Sequence, residues 1–420
     1  MPVKITTEFS GHWILLVALS VAAAIGAIGC GLTAEGRAIA ELEKVGGKFG
    51  DTSAGWGRQP LALTFQAADV TDDDLVHLEA LPELESLTFL EASYLDAHFI
   101  DYTPRGVMRV TDAGFVQLRG LTKLKTLLIH NVQITEAALV HISGLTELET
   151  IEVEGVEITD AGLAHLKNLT RLRQFIVFGG LSPQVTDAGV EHLKRLKQLN
   201  ALWFGGTKVT DEGLVHLSGL TNLKSLSLYE TRVTDAGLEH LKGLTRLRGL
   251  SLRATQVTDA GLVHLEGIAD LRNLYLSETQ VADAGLVHLK RLTRLQRLDL
   301  SATPVTDAGL VHIEGMYNIR DLQLNETQIS DAGLYHATKI SGLRTLGLAH
   351  TQITDAGLEL VETLIRLEHL DLTHTQVTDA GLKHLEALDN LEQLDLTHTQ
   401  VTGERVEKLK QALWKCDIKH

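Results

Sequence analysis

The sequence is poor in cysteine, proline and aromatic residues. Its 420 residues include two cysteines and six prolines, and aromatic residues make up only 5% of the chain. Cys30 and Cys416 lie near opposite ends, without a CxxC spacing or a His/Cys cluster beside them, so the sequence predicts neither a disulfide framework nor a structural zinc site. Leucine is abundant instead, which favours a core of small, regularly stacked units.

Positive charge is also scarce. Lysine and arginine number 38 against 54 aspartates and glutamates, and the formal net charge is -16. Nucleic-acid binding depends on clustered basic side chains that release counterions, so this balance argues against a nucleic-acid partner. Because the chain exceeds the usual size of one hydrophobic core, it should contain several domains or one repeat array.

One long uncharged segment, residues 13–32, lies near the start of the chain. Twenty residues at about 1.5 Å each match the hydrocarbon thickness of a bilayer. The segment contains Ala27-Ile28-Gly29-Cys30, which resembles a bacterial lipoprotein processing site with Cys30 as the lipidated residue. An uncleaved signal anchor and a buried core helix are the alternatives. Either membrane interpretation places the rest of the chain outside the cytoplasmic membrane, at the cell envelope.

A Thr-Asp pair or a close variant recurs through most of the chain, usually every 24 residues. Its first residues are 71, 111, 135, 159, 186, 210, 234, 258, 282, 306, 330, 354 and 378, and Thr402 opens a degenerate fourteenth unit. In the unit of residues 257–280, the three-residue spacing of Leu262, Leu265 and Ile268 predicts a short helix capped by Thr258. The alternation of Leu274 and Leu276 predicts a strand.

A single unit of this kind cannot bury its own apolar face, so successive units are expected to stack. Their strands would form a parallel sheet on a concave side, with short helices on the convex side, because a helix is wider than the spacing of about 4.8 Å between strands. The pattern L-x-x-L-x-L-x-x-T-x-V, as in residues 247–257, resembles a leucine-rich repeat. The resemblance implies an α/β leucine-rich-repeat solenoid shaped as a curved horseshoe.

The 24-residue units are most similar to the cysteine-containing, F-box-associated class of leucine-rich repeats, and the Thr-Asp-Ala-Gly-Leu start resembles its bacterial members. Threonine replaces the inward Asn or Cys of that class at 207, 231, 255, 279, 303, 327, 351, 375 and 399. A threonine hydroxyl can bond neighbouring backbone, so we expect a hydroxyl ladder. The position changes to Ala68, Val132 and Val156 upstream, where less regular coils are expected.

These patterns divide the chain into four parts. Residues 1–32 form a signal anchor or lipoprotein signal peptide, and 33–59 an N-terminal capping segment. Residues 60–402 form the repeat array of about 14 units, with an insertion near 90–108. Residues 403–420 form a C-terminal capping helix and tail.

Histidine recurs at one position of the helical segment, at 77, 141, 165, 192, 216, 240, 264, 288, 312, 336 and 384. One histidine per coil forms a line, whereas a zinc or iron site needs three or four converging ligands, so no metal or cofactor is predicted. Protonation of this ridge near pH 6.5 is a further hypothesis. The repeated aspartates are assigned to helix capping, and no catalytic motif is present, so no enzyme activity is predicted.

The residues that flank the strand leucines are expected to face the concave side and contact a partner. The predicted binding residues are Ile176, Phe178, Trp203, Tyr229, Arg253, Tyr275 and Asp299. Large rings and arginine are typical binding anchors, although chance exposure or cover by loops is the alternative. Further along, Asp299, Asp371 and Asp395 make the C-terminal half acidic, which suits a basic or polar partner surface.

Two insertions break the rhythm of the repeat. The longer one carries Tyr94, Phe99 and Tyr102, which would extend the aromatic surface if the loop leans over the concave mouth. Covering the irregular first coils is the alternative role. The shorter one, around residues 179–183, is expected to reshape the edge of the surface.

The sequence therefore predicts a non-enzymatic scaffold that holds a protein partner on its concave face at the bacterial cell envelope. One alternative is a structural or adhesive envelope protein that binds polysaccharide by stacking sugars on the same aromatic rings. A more remote alternative is a substrate-recognition adaptor for protein modification. The sequence does not indicate an oligomeric state.

Overall fold

A computed structural model describes residues 33–51, 61–65, 70–90, 108–130, 132–178 and 184–420. Within these stretches short strands alternate with short helices. The predicted anchor with Cys30, the loop residues Tyr94, Phe99 and Tyr102, Ala68, and the insertion at 179–183 lie outside the described residues.

The longest described strand has six residues, and the strands from residue 201 onward have three residues each. They are β1 Gly47–Asp51, β2 Leu61–Phe65, β3 Leu84–Phe89, β4 Met108–Thr111, β5 Thr126–Ile129, β6 Val132–Gln133, β7 Thr150–Glu154, β8 Gln174–Phe178, β9 Ala201–Trp203, β10 Ser225–Ser227, β11 Gly249–Ser251, β12 Asn273–Tyr275, β13 Arg297–Asp299, β14 Asp321–Gln323, β15 Thr345–Gly347, β16 His369–Asp371, β17 Gln393–Asp395 and β18 Asp417–Lys419.

The helices are short and are divided between two types. The α-helices are Ala34–Lys44, Asp160–Ala164, Asp187–Glu191, Asp211–Leu217, Asp235–Leu238, Asp307–Leu310, Asp331–Ala337, Asp355–Val361 and Gly403–Ala412. The 3₁₀ helices are Asp74–Ala80, Gly114–Gly120, Glu136–His141, Glu239–Leu241, Asp259–Leu265, Gly285–Arg291 and Gly381–Leu385.

Sixteen of the described strands form one sheet in the order β1-β2-β3-β5-β7, followed by β8 to β18 in sequence. All neighbours are parallel except β1 and β2, which are antiparallel, and β4 and β6 pair separately. The register advances by one repeat per strand, so that Leu226 lies beside Leu250 and Leu250 beside Leu274. The predicted parallel sheet of a repeat solenoid is therefore confirmed.

The core is a continuous column of leucines between the sheet and the helices. In the unit of residues 257–280, the side chains of Leu262, Leu265, Ile268, Leu274 and Leu276 have no exposed surface. Equivalent residues of the next coil continue the column, so each unit is buried mainly by its neighbours.

The Thr-Asp-Ala-Gly start joins each coil to the one before it. Asp283 accepts hydrogen bonds from the backbone N–H and the hydroxyl of Thr306 in the next coil, at 2.7 and 2.6 Å. The same hydroxyl caps its own helix by accepting from the N–H of Ala308. Glycine is needed because a Cβ at Gly285, for example, would lie 2.5 Å from the carboxylate of Asp259. We call this repeated contact the Asp–Thr rung.

Eight of the nine inward threonines are buried and Thr399 is partly exposed, and their hydroxyls bond backbone as expected. Each hydroxyl donates to the carbonyl three residues earlier in its own coil, as Thr255 does to Leu252 at 2.6 Å. The bonds therefore close a turn within each coil rather than linking coils. The preceding residue is left-handed in eight coils, with φ between 53° and 59°, although none of these residues is glycine.

Both ends of the described array are covered. The helix Ala34–Lys44 buries Ala38 and Leu42 and leads into β1 at the first edge of the sheet. At the other end, the helix Gly403–Ala412 buries Val406 and Leu409, and β18 then pairs with β17.

Candidate binding surface

One face of the long sheet carries the side chains that alternate with the buried leucines, and we call it the open face. Its central row is set by the register of the strands. From β9 to β18 the row reads Trp203, Ser227, Ser251, Tyr275, Asp299, Gln323, Gly347, Asp371, Asp395 and Lys419. Residues two positions later, including Tyr229 and Arg253, form a second row beside it.

Trp203 and Tyr229 lie on neighbouring coils and are both half-buried. The indole Nε1 of Trp203 donates to the hydroxyl of Ser225 at 3.3 Å. The ring of Tyr229 covers Gly205, where an added Cβ would overlap the ring. The two rings are thus held against the sheet while part of each remains accessible, as binding anchors are in rigid interfaces.

Tyr275 and Arg253 are held by charged neighbours. The hydroxyl of Tyr275 accepts a hydrogen bond from Nη1 of Arg297 at 3.1 Å. Arg253 contacts Glu278 through Nη2 at 2.6 Å, and this hydrogen-bonded carboxylate raises the pKa of Arg253 above its ordinary value. The guanidinium is about half exposed, so a partner would meet an ion pair rather than an isolated cation.

The structure corrects two expectations about the aromatic surface. Ile176 is only 8% exposed, because the sheet and its neighbours cover it, so it offers little contact area. Tyr275 does not join a single aromatic cluster, since Ser227 and Ser251 separate it from Trp203 in the central row. Phe178 ends β8, and its side chain lies outside the described part. Trp203 and Tyr229 are therefore the aromatic pair that adjacent coils bring to this face.

The central row becomes acidic from Asp299 onward. Asp299, Asp371 and Asp395 each accept a hydrogen bond from the backbone N–H two residues later, at 2.9, 2.9 and 3.0 Å. For Asp395, burial raises the pKa, but hydrogen bonds from Thr397 and Thr373 outweigh it and hold the pKa below its ordinary value. The backbone hydrogen bonds fix the direction of all three carboxylates.

A depression of about 260 Å³ lies in this acidic part of the open face. It extends over Gly347 and His369, and the amide end of Gln323 leans across the glycine from one side. Asp395, Asp417 and Lys419 contribute to its wall.

The repeat and sheet geometry agree with the comparisons to known proteins. Residues 341–401 match the family described as leucine rich repeat. The chain has the fold of a leucine-rich-repeat solenoid. Its structure is similar to an internalin (inlF) from Listeria monocytogenes, with a TM-score of 0.62 and 22% identity over 90% of this chain and 94% of that one.

Two further solved structures resemble parts of the solenoid less closely. An internalin C2 from Listeria monocytogenes is 26% identical, with a TM-score of 0.42, over 57% of this chain and 92% of that one. A leucine-rich-repeat protein from Leptospira interrogans is 16% identical, with a TM-score of 0.40, over 72% and 92%. A search of curated protein sequences finds no match to the solenoid.

The recurrent histidines lie on the helical side of the solenoid, and several contact a glutamate of the preceding coil. His288, His336 and His384 approach Glu266, Glu314 and Glu362 at 2.7, 2.6 and 2.9 Å. Within the described stretches, no three His, Cys, Asp or Glu side chains converge as a metal would require. In the same stretches, no helix is both long and apolar enough to cross a membrane.

Two surface features of the solenoid were not predicted from the sequence. His350, His374 and His398 occupy the left-handed turn position of consecutive coils, and their rings stack with centroids 4.1 and 4.3 Å apart. On the helical side, Val263, Val287, Val311 and Tyr335 form an apolar stripe, each 41% to 48% exposed. The histidines and the stripe residues each recur every 24 residues, and this spacing is the sequence signal that indicates both features.

Proposed function

We propose that the solenoid is a non-enzymatic scaffold that binds a protein partner on its open face. The observation that carries this proposal is the pair of half-buried rings, Trp203 and Tyr229, held on a rigid sheet face. Aromatic side chains of this kind contribute large contact area at little entropic cost. The fold shared with an internalin supports a scaffold role, because such a sheet offers a broad surface without moving parts.

We also propose that residues 13–32 attach the solenoid to the bacterial cell envelope, either as an uncleaved anchor or through lipidation of Cys30. This location rests on the sequence alone. Metabolic labelling with a fatty acid, compared between the natural chain and Cys30→Ser, separates the two modes. Label on the natural chain that is lost in the variant supports lipidation, whereas a natural chain that is membrane-associated without label supports the uncleaved anchor.

We also propose that the repeat is most similar to the cysteine-containing, F-box-associated class. It rests on the 24-residue unit and the Thr-Asp-Ala-Gly-Leu start. An adaptor role in protein modification, which some relatives of that class would suggest, ranks behind envelope binding because residues 13–32 have the length and composition of a membrane segment.

The binding proposal is tested by crosslinking the anchored protein in its own cells and comparing what each variant captures. We expect Trp203→Ala with Tyr229→Ala to abolish capture, because these two rings are the aromatic pair held on adjacent coils of the open face. Tyr317→Ala with Trp414→Ala is the matched control, since these rings are 66% and 77% exposed away from the open face. Thermal melting of both double variants checks that they remain folded.

Capture that persists in the Trp203→Ala and Tyr229→Ala variant, while both proteins remain folded, would overturn the assignment of this surface. Binding of purified envelope polysaccharide that disappears with Trp203→Ala would instead favour the adhesive alternative. Tyr229→Phe keeps the ring over Gly205 and should retain capture, which separates ring packing from the tyrosine hydroxyl.

A further inference from the structure

The open face of the solenoid has two chemically different portions. Between β9 and β12 its outward side chains are mostly neutral, and Arg253 is paired with Glu278. From β13 to β18 it carries Asp299, Asp321, Asp371, Asp395 and Asp417, and we call these strands the acidic portion. Seven strand spacings separate Trp203 from Asp371, which is about 34 Å at 4.8 Å per strand. The two portions can therefore be changed independently.

The acidic portion has few cations of its own. Arg297 lies 2.6 Å from Asp321 and neutralises that carboxylate. Lys419 lies 4.0 Å from Asp395 and is 70% exposed, so it compensates the remaining charge only weakly. Three carboxylates and one ammonium line the depression over Gly347, which leaves a net charge of -2 at the wall.

The carboxylates are also oriented before any ligand arrives. One oxygen of Asp371 accepts the N–H of Thr373, and one oxygen of Asp395 accepts both the N–H and the hydroxyl of Thr397. In the described part of the chain, the second oxygen of Asp371 has no hydrogen-bond donor. Fixed carboxylates with an available oxygen are well suited to a cationic donor, because little ordering is required on binding.

The shape of the depression favours a side chain rather than a backbone segment. The amide ends of Gln323 and Asn325 occupy the place where a Cβ of residue 347 would stand, so they narrow the depression directly above this glycine. His369 lines the same depression, and its Nδ1 is buried without a partner in the described residues. A planar guanidinium, which presents five donors, matches two carboxylates on neighbouring strands better than a compact ammonium does.

We propose that the acidic portion docks a basic segment of the protein partner and that the depression over Gly347 receives one of its arginine side chains. This inference rests on the proposed function, since it describes part of the same partner. The charge complementarity of Asp371 and Asp395 with a guanidinium is its main support. The aromatic portion would contact a separate, less polar part of the partner.

The test measures binding of fluorescein-labelled hexaarginine, hexalysine and hexaserine to the full chain by fluorescence anisotropy. We expect hexaarginine to bind most tightly, hexalysine more weakly and hexaserine not at all. Asp371→Asn with Asp395→Asn should weaken hexaarginine binding about ten-fold or more. Glu359→Gln with Asp389→Asn makes the same change in net charge at exposed positions outside the depression and should leave binding nearly unchanged.

A second variant tests the depression without changing charge. Gly347→Gln places there the residue found one coil earlier at Gln323, and its nearest neighbours are the movable ends of side chains. We expect it to weaken hexaarginine binding while the melting temperature stays close to that of the natural chain. The proposal would be overturned if the control pair and the Asp371/Asp395 pair lose hexaarginine affinity equally. It would also be overturned if hexaarginine affinity is undiminished in both Gly347→Gln and the Asp371/Asp395 pair.

The outcome is distinguishable from failure of the proposed function. The acidic docking site alone would be refuted if capture depends on Trp203 and Tyr229 while hexaarginine affinity is unchanged by the substitutions at Asp371 and Asp395. Hexaarginine binding that depends on the two aspartates, without any ring-dependent capture, would refute the aromatic surface alone.

Discussion

Ala282 interrupts the Asp–Thr rungs that join the coils. Asp259 accepts only the N–H of Ala282, at 2.6 Å, whereas Asp283 accepts both the N–H and the hydroxyl of Thr306. The helix Gly285–Arg291 that follows Ala282 also lacks a side-chain cap. This coil is therefore missing two hydrogen bonds that its neighbours have.

Ala282→Thr should raise the free energy of unfolding by about 1 kcal/mol, because it supplies both the cap and the rung. The matched change Thr306→Ala should lower it by about the same amount. Urea melts of the two variants and the natural chain measure the effect. An unchanged midpoint for Ala282→Thr would show that the rung contributes little to stability.

The pKa of His374, whose ring lies between those of His350 and His398, should be below its ordinary value. Desolvation lowers the pKa of His374, and the charges of His350 and His398 lower it further. The folded chain therefore resists protonation, so this histidine reduces stability as the pH falls through the unfolded value near 6.5. Nuclear magnetic resonance should show the His374 pKa rising when His350→Gln and His398→Gln remove the neighbouring charges. An unchanged value would contradict the stacking account.

The thiol of Cys416 should react slowly at neutral pH. Burial raises its pKa to about 11, with a further contribution from the charge of Asp417. In a Cys30→Ala background, iodoacetamide labelling should therefore increase about ten-fold per pH unit between pH 7.5 and 9.5 without a plateau. A plateau near pH 9 would indicate an ordinary exposed thiol.

At the scale of elements, periodicity predicted the positions of helices and strands but not their exact kind. Leu262, Leu265 and Ile268 are buried as the three-residue spacing indicates, yet the helix Asp259–Leu265 is of the 3₁₀ type. The rungs do not follow from the sequence of one unit, in which Asp259 fits the role of a helix cap. Its carboxylate in fact bonds the next coil, which is visible only once the coils are stacked.

The C-terminal helix should be essential for the stability of the last coils. Leu409 is fully buried there, so Leu409→Ala should cost about 2 to 5 kcal/mol, while Trp414→Ala, at 77% exposed, should change stability by about 0.5 kcal/mol or less. Chemical denaturation measures both. Hydrogen exchange should accelerate first in β17 and β18, and uniform acceleration along the whole chain would contradict this local role.

At the scale of the whole molecule, the open face could be predicted because strand side chains alternate with a period of two. Trp203, Tyr229 and Tyr275 do lie on that face, but their partners are set by neighbouring coils, such as Ser225 for Trp203 and Arg297 for Tyr275. The burial of Ile176 and the pairing of Arg253 with Glu278 likewise depend on contacts between units, which a single repeat does not reveal.

The solenoid presents two surfaces on opposite sides, the open face and the apolar stripe of the helical side, and we propose that the partner binds the open face. The most direct test places a photoreactive phenylalanine derivative at Ser251, between Trp203 and Tyr275 on the open face, or at Val287 on the stripe. Irradiation in the native cells should give a discrete crosslinked partner from position 251 and none from position 287. A partner crosslinked only from position 287 would contradict the account.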